Sequence, residues 1–314
     1  MLVTGGAGFI GSHITRRLLA GGASVRVLDN LSTGRLTNLA DIAADVELHE
    51  GDLRSPEAVA AAVRGVDTVF HQAALPSVPR SVRDPRTSLD VNVTGTLNVL
   101  IAARDAGVRR VVFASSSSVY GSNPELPKRE ALVPAPISPY AVGKLAAEGL
   151  CGSFSQVYGV ETVALRYFNV FGPFQDPTSQ YSAVIPLFIS ALINGGAPRI
   201  HGDGEQSRDF TYIDNVVDAN LLAATASGDA VGRAFNVACG TRVTLNQLVA
   251  EIGATVGAEA APEYGPPREG DVRHSLADIA AARASLGYEP AVDLATGLEH
   301  TVAHYRDDAL TGRR

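Results

Sequence analysis

The chain has 314 residues, of which 46% are apolar and 19% charged, with a net charge of −7. This composition excludes intrinsic disorder, and the length passes the ~250–300 residues at which single cores stop growing, so two lobes are expected. The acidic balance excludes broad nucleic-acid binding, and two cysteines, Cys151 and Cys239, make neither a disulfide framework nor a metal site.

Met1 runs straight into glycines with no signal-peptide layout. The longest apolar stretch, around 184–193, contains Pro186 and falls short of the ~20 residues of a membrane span. A cytoplasmic chain is therefore expected. Apolar β-rich runs at 2–3, 24–28, 46–48, 68–70 and 110–114 alternate with helical patterns at 10–19, 56–63 and 89–104. A long helix follows Pro139 over 140–158, and a strand at 162–166 closes this part. The alternation predicts an α/β fold, a Rossmann-type doubly wound parallel sheet with helices on both faces.

After Phe171 the pattern loosens into glycine- and proline-marked loops. Helices are expected at 186–193, 215–226, 245–255 and 293–305, with strands at 210–212 and 235–237. The expected division is a dinucleotide domain over 1–168, which 206–235 rejoins, and a smaller irregular α/β substrate lobe from 169–205 and 236–306. Residues 307–314 read as a frayed tail, and ligands are expected in the cleft between lobes.

Thr4-Gly5-Gly6-Ala7-Gly8-Phe9-Ile10-Gly11 follows the first strand and opens a helix. Gly5 and Gly8 permit a tight turn and close approach of backbone to a pyrophosphate, and Gly11 lets the helix pack near the sheet. Asp29 ends the second strand, where a carboxylate accepts hydrogen bonds from ribose hydroxyls and repels a 2′-phosphate, so NAD is favoured over NADP. Arg35 nearby is the one group that argues for the phosphorylated form. Asp52 and Leu53 suit an adenine pocket, and Gln72-Ala73-Ala74 suits a small-residue shelf under the cofactor.

Tyr140 and Lys144 stand at i and i+4 on one helical face. A phenol titrates near ~10 and is a poor base until a cation favours the phenolate. Lys144 and a positive nicotinamide ring supply that charge. The run Ser115-Ser116-Ser117-Ser118 ends the strand before this helix, where catalytic groups of a parallel sheet sit.

The glycine motif, Ser116 four residues before Tyr120, and Tyr140 with Lys144 resemble extended short-chain dehydrogenases/reductases, from residue 1 to about 305. Within that group the chain is most similar to UDP-glucose and UDP-N-acetylglucosamine 4-epimerases. Ser77-Val78-Pro79-Arg80-Ser81, Arg166-Tyr167-Phe168-Asn169-Val170-Phe171-Gly172-Pro173, Arg208-Asp209-Phe210 and Arg268-Glu269-Gly270-Asp271 carry that likeness.

The resemblance implies Ser116, Tyr140 and Lys144 as the catalytic set of a UDP-hexose 4-epimerase. It implies an NAD site of Gly5, Gly8, Phe9, Ile10, Gly11, Asp29, Asn30, Ser32, Thr33, Gly34, Asp52, Leu53, Gln72, Ala73, Ala74, Ser115, Tyr140, Lys144 and Tyr167, the last beside the nicotinamide. For the UDP-sugar it implies Ser77, Arg80, Ser116, Ser117, Tyr140 and Val184. Asn169, Arg208 and Arg268 would hold the diphosphate and Asp271 the uridine ribose. Ser275 would gate the C2 pocket, where a small residue leaves room for N-acetyl. A homodimer through the helices around 89–104 and 140–158 is also implied.

Sugar-nucleotide 4,6-dehydratases resemble the chain but usually carry Asp-Glu where Ser117-Ser118 stand. UDP-glucuronate 4-epimerases often read Phe-Thr in place of Phe168-Asn169. A redox sensor that keeps NAD without chemistry would tend to lose the Tyr/Lys pair.

Overall fold

Short apolar runs become parallel strands when a helix between each pair carries the chain back over the sheet. In a computed structural model, which describes residues 1–177, 183–267 and 272–311, the first half follows that rule except between the second and third strands, which are joined by short 3-10 turns at Leu36–Leu39 and Ala43–Asp45. It contains β1 (Leu2–Thr4), α1 (Phe9–Ala20), β2 (Val25–Asp29), β3 (Val46–Glu50), α2 (Pro56–Val63), β4 (Thr68–His71), α3 (Val78–Arg83), α4 (Pro85–Leu89), α5 (Gly95–Asp105), β5 (Arg110–Ser116), α6 (Pro139–Tyr158) and β6 (Glu161–Tyr167). The second half adds β7 (Val170–Phe171), α7 (Val184–Ile193), β8 (Arg199–His201), β9 (Ser207–Arg208), β10 (Thr211–Tyr212), α8 (Ile213–Thr225), β11 (Arg233–Val237), β12 (Val243–Thr244), α9 (Leu245–Val256), β13 (Glu263–Gly265), α10 (Ala280–Leu286) and α11 (Leu294–Thr311).

Seven strands form one sheet in the order β11-β6-β5-β4-β1-β2-β3, and every neighbouring pair is parallel. Chain order reverses between β1 and β4, which opens a crevice at their carboxyl ends. The period of two along each strand sorts its side chains. Val3, Val27, Phe70 and Val112 enter one core with Ile14 of α1 and Val216 of α8. Leu2, Leu28, Val69 and Val111 enter the other with Val59 of α2, Val99 of α5 and Ala147 of α6. Burial on both faces explains why these strands read as continuous apolar runs rather than alternating ones.

The later segments do not build a core of their own. Ile185, Phe188, Leu248, Ile252, Leu298 and Val302, from α7, α9 and α11, join the α1/α8 core. Three two-stranded pieces, β7 with β10, β8 with β13 and β9 with β12, fasten the connections. Such strands are two or three residues long, too short to show a period, so of these only 210–212 was legible. No helix among the described residues is long and apolar enough to cross a membrane.

Two expectations change. The helix expected over 89–104 begins earlier, as α4, and passes through a π-type turn at Asp90–Thr94 before α5. That turn carries Asn92, which is 2% exposed. Its Oδ1 accepts the Leu75 N–H at 2.8 Å and its Nδ2 donates to the Leu75 carbonyl at 3.2 Å. The tail expected from 307 is instead helical as far as Thr311, since α11 runs on.

Asn92→Ala strands both polar groups of Leu75 away from water, at ~1–3 kcal/mol each. Chemical denaturation is expected to show a loss of about 2–6 kcal/mol; a smaller loss than 1 kcal/mol would mean that water replaces the amide.

Candidate functional site

The turn between β1 and α1 sits at the crevice because nothing larger than glycine fits there. Gly5 has φ +69°, and a Cβ on it would stand 2.7 Å from backbone N and Cα of Ala73, just past β4. A Cβ on Gly11 would collide with the Gly5 carbonyl and stand 2.8 Å from Gly6 Cα. Gly8 caps α1 with no side-chain hydrogen bond and no acid in the first turn. The N–H groups of Phe9, Ile10 and Gly11, with the positive end of the helix dipole, are therefore disposed to bind an anion.

Asp29, at the end of β2, is 7% exposed. Its Oδ2 accepts the Ala7 N–H at 3.0 Å and its Oδ1 the Leu31 N–H at 2.9 Å. Burial pushes its pKa up, and the two N–H groups oppose that shift. Two of about four lone-pair sites are thus used, which leaves acceptors for a ribose. Gly34 lies against this carboxylate: a Cβ there would be 2.9 Å from Oδ2. Ser32 and Thr33 are exposed beside it.

Asn30 donates to Asp52 at 2.9 Å, and Asp52 is forked by Arg54 at 2.9 and 2.8 Å. The Arg54 hydrogen bonds hold Asp52 far below the usual carboxylate range. Leu53 packs on Gly95, where a Cβ would come within 2.8 Å. At the next strand end Gln72 accepts from the Tyr167 hydroxyl and donates to Asn220, both at 3.1 Å. Burial keeps Tyr167 a neutral phenol. Gln72, Ala73 and Ala74 are half-buried along this edge. Together the turn, the acid and the shelf fit a dinucleotide.

Ser116 is the last residue of β5, and Tyr140 and Lys144 lie one turn apart at the start of α6. Ser138 fixes that start by accepting the Ala141 N–H at 3.2 Å, with Pro139 in the first turn. Ser116 lies beside the Tyr140 phenol, and its hydroxyl accepts the Ser118 N–H at 3.2 Å. Burial raises the Tyr140 pKa and the serine contact partly offsets it. Lys144 Nζ donates to the Ala114 carbonyl at 2.7 Å and lies 6.0 Å from the centre of the Tyr140 ring. Burial pulls its pKa down to about 8, so it remains mostly charged at pH 7.

Adjacent strand residues face opposite ways, and the Ser115 hydroxyl points to Glu148. Glu148 receives a two-pronged ion pair from Arg166 at 2.9 and 2.8 Å. Arg166 also donates to the Tyr120 hydroxyl at 2.9 Å, which donates to Asn236 at 2.7 Å. This buried chain ties the ends of β5, β6 and β11 to the middle of α6. Periodicity did not reveal it. The acid at 148, one turn beyond Lys144 on the same helix face, was the available signal.

Ser77 caps α3 by accepting the Arg80 N–H at 3.1 Å, and Arg80 is half-buried on that helix. Ser117 opens the turn after β5 and Val184 opens α7, both half-buried. Asn169 has φ +33° and donates to the Asp209 carbonyl at 3.0 Å. Arg208 Nη1 donates to the carbonyls of Ser207 at 2.9 Å and Arg273 at 3.0 Å. Ser275 N–H reaches the Ser207 carbonyl at 3.0 Å, so Arg208 and Ser275 are brought side by side. Arg268 and Asp271 lie outside the described residues. Among the described residues, no cluster of histidine, cysteine and acid could hold a metal ion.

His71, one residue before the shelf, lies between the hydroxyls of Thr4 at 2.7 Å and Thr96 at 3.0 Å. Burial pushes its pKa down to about 3 from 6.5. The unfolded chain therefore binds a proton between those values that the folded chain refuses, and stability falls as pH falls through that window. By pH 5 the loss from this residue amounts to about 2 kcal/mol. Thermal melting against pH is expected to drop below pH 6.5, and His71→Asn to flatten the drop; an equal slope in both would clear His71.

The model of the NAD dependent epimerase/dehydratase family matches residues 1–238. A UDP-glucose 4-epimerase of Mycolicibacterium smegmatis is 42% identical over 315 aligned residues, covering 98% of each chain. The crystal structure of a UDP-glucose 4-epimerase of Thermotoga maritima with UDP-glucose has a TM-score of 0.94 at 38% identity, covering 98% of this chain and 99% of that one. A UDP-N-acetylglucosamine 4-epimerase of Methanobrevibacter ruminantium, in complex with UDP-N-acetylmuramic acid, has a TM-score of 0.93 at 41% identity, covering 98% of each.

Proposed function

The chain belongs to the NAD dependent epimerase/dehydratase family, and from that premise we propose that it interconverts C4 epimers of UDP-hexoses. The pairs are UDP-glucose with UDP-galactose and UDP-N-acetylglucosamine with UDP-N-acetylgalactosamine. The observation that carries this reading is the placement of Ser116, at the end of β5, beside Tyr140 and Lys144 at the start of α6. No carboxylate stands in 115–118 to remove a C5 proton, which disfavours a dehydratase.

The cofactor is NAD, and the chemistry it supplies when bound is reversible hydride uptake at sugar C4. The first turn of α1 would hold its pyrophosphate, Asp29 its adenine ribose and Lys144 its nicotinamide ribose. Tyr140 Oη takes the proton of the 4-hydroxyl as C4 becomes a ketone. Ser116 Oγ, beside the same phenol, is placed to hydrogen-bond the 4-hydroxyl. The Lys144 ammonium favours the phenolate over the phenol, offsetting the burial that raises Tyr140. After the sugar turns about its link to the diphosphate, Tyr140 returns the proton on the other face. Turning requires that binding energy come from the diphosphate rather than the sugar. Arg208, steadied by two carbonyls, and Asn169 are the described residues for that grip.

Ser275 is small enough to admit an N-acetyl group at C2. Two copies would associate through α5 and α6, where Val142 and Val157 present exposed apolar surface on α6.

The test is incubation with UDP-glucose, UDP-N-acetylglucosamine and UDP-glucuronate separately, without added reductant, with C4 epimers resolved by NMR. Equilibration of the first two pairs is expected. A stable 4-keto product or an inert mixture would overturn the epimerase reading. Tyr140→Phe is expected to lower kcat by about 10²–10⁴-fold with little change in KM. Ser275→Tyr is expected to stop conversion of the N-acetyl pair and leave the glucose pair running; equal conversion of both would remove the gate.

A further inference from the structure

We propose that Asp176 is a positioning residue for the cofactor: by holding the Arg35 guanidinium it clasps segment 172–176 across the adenosine corner, slows NAD release and denies Arg35 to a 2′-phosphate. The inference rests on NAD occupying that corner. Arg35 belongs to it by its backbone, since its N–H donates to the Ala7 carbonyl at 3.0 Å, within the glycine turn. Its neighbour Gly34 lies against Asp29. An arginine so placed is the type of group that accepts a 2′-phosphate. Its guanidinium instead donates to Asp176 Oδ2 at 2.6 Å.

The segment bearing Asp176 is anchored on both sides. His13 Nε2 bonds the Pro173 carbonyl at 3.1 Å, and a Cβ on Gly172 would be 3.6 Å from the Phe9 ring. Both partners belong to α1, whose first turn faces the pyrophosphate. Phe174 is held at φ +65°, strained for a non-glycine residue. Its N–H donates to His304 at 3.2 Å, its ring centre is 5.3 Å from His13 and 4.8 Å from His304, and Arg16 lies 4.5 Å over it. Tyr305 donates to the Gln175 carbonyl. These contacts leave the acid at the end of a fixed arm facing the nucleotide corner. Arg35 and Asp176 keep 47% and 31% of their side-chain exposure. Such a pair is modest and salt-screened, as suits a clasp that must open once to admit the cofactor.

NAD-loaded wild type, Asp176→Asn, Arg35→Gln and the charge swap Arg35→Asp with Asp176→Arg are to be gel-filtered. Release of the nucleotide is then followed over time at low and high salt, with thermal melting as the check on folding. Each single variant is expected to release NAD about fivefold faster, and the swap to recover much of the difference. High salt speeds release from wild type and leaves Asp176→Asn unchanged. Asp176→Asn also gains about fivefold in NADP affinity relative to NAD, whereas Arg35→Gln does not. Equal release rates in wild type and both single variants would overturn the clasp alone. A wild type that takes up no NAD would overturn the clasp and the proposed function together.

Discussion

The site depends on one close approach between backbones. The turn after β1 passes so near the end of β4 that a single added carbon at Gly5 would meet Ala73 backbone at 2.7 Å. Neither partner is a flexible side chain that can move aside. The contact fixes where α1 begins, hence where its N–H groups emerge, and it does so at the point where strand order reverses. The acid at the end of β2 then completes the corner by gripping the same turn through Ala7. The exposed N–H groups of the turn and the acceptor atoms of Asp29 are thus consequences of one packing constraint.

The catalytic end of the crevice is held by polar groups in a dry interior. Such groups are costly unless every partner is present. The chain from Ser115 through Glu148, Arg166 and Tyr120 to Asn236 meets that condition. It fixes the serine strand against the tyrosine helix without touching the reacting atoms. In front of it the electrostatics are poised rather than finished. Lys144 is committed to the Ala114 carbonyl, 6.0 Å from the Tyr140 ring, and burial holds the phenol protonated. With NAD held there, as proposed, Tyr140 and Lys144 would be the residues whose bias toward phenolate its charge would complete.

The two halves of the chain share one core. Side chains of α7, α9 and α11 enter the core formed by α1 and α8, and segment 172–176 lies on α1 itself. Elements from the two halves of the chain therefore share packing.

The sequence by itself determined the parallel sheet, the glycine turn and the acid after β2, and placed the serine run 115–118, Tyr140 and Lys144 at strand and helix ends. Those features are local: period, turn chemistry and spacing along one element specify them. The resemblance extended this to Asn169, Arg208 and Ser275, whose roles come from likeness and not from pattern. Only the tertiary structure decided what meets across the chain. It broke the helix over 89–104 at a π-type turn so that Asn92 clamps Leu75, and it buried His71 between two threonines. It brought Glu148 to Arg166, and Arg35 to Asp176, 141 residues apart. A charge or amide in sequence carries no mark of its partner, because the partner is chosen by packing, and packing is fixed only when the whole chain has closed.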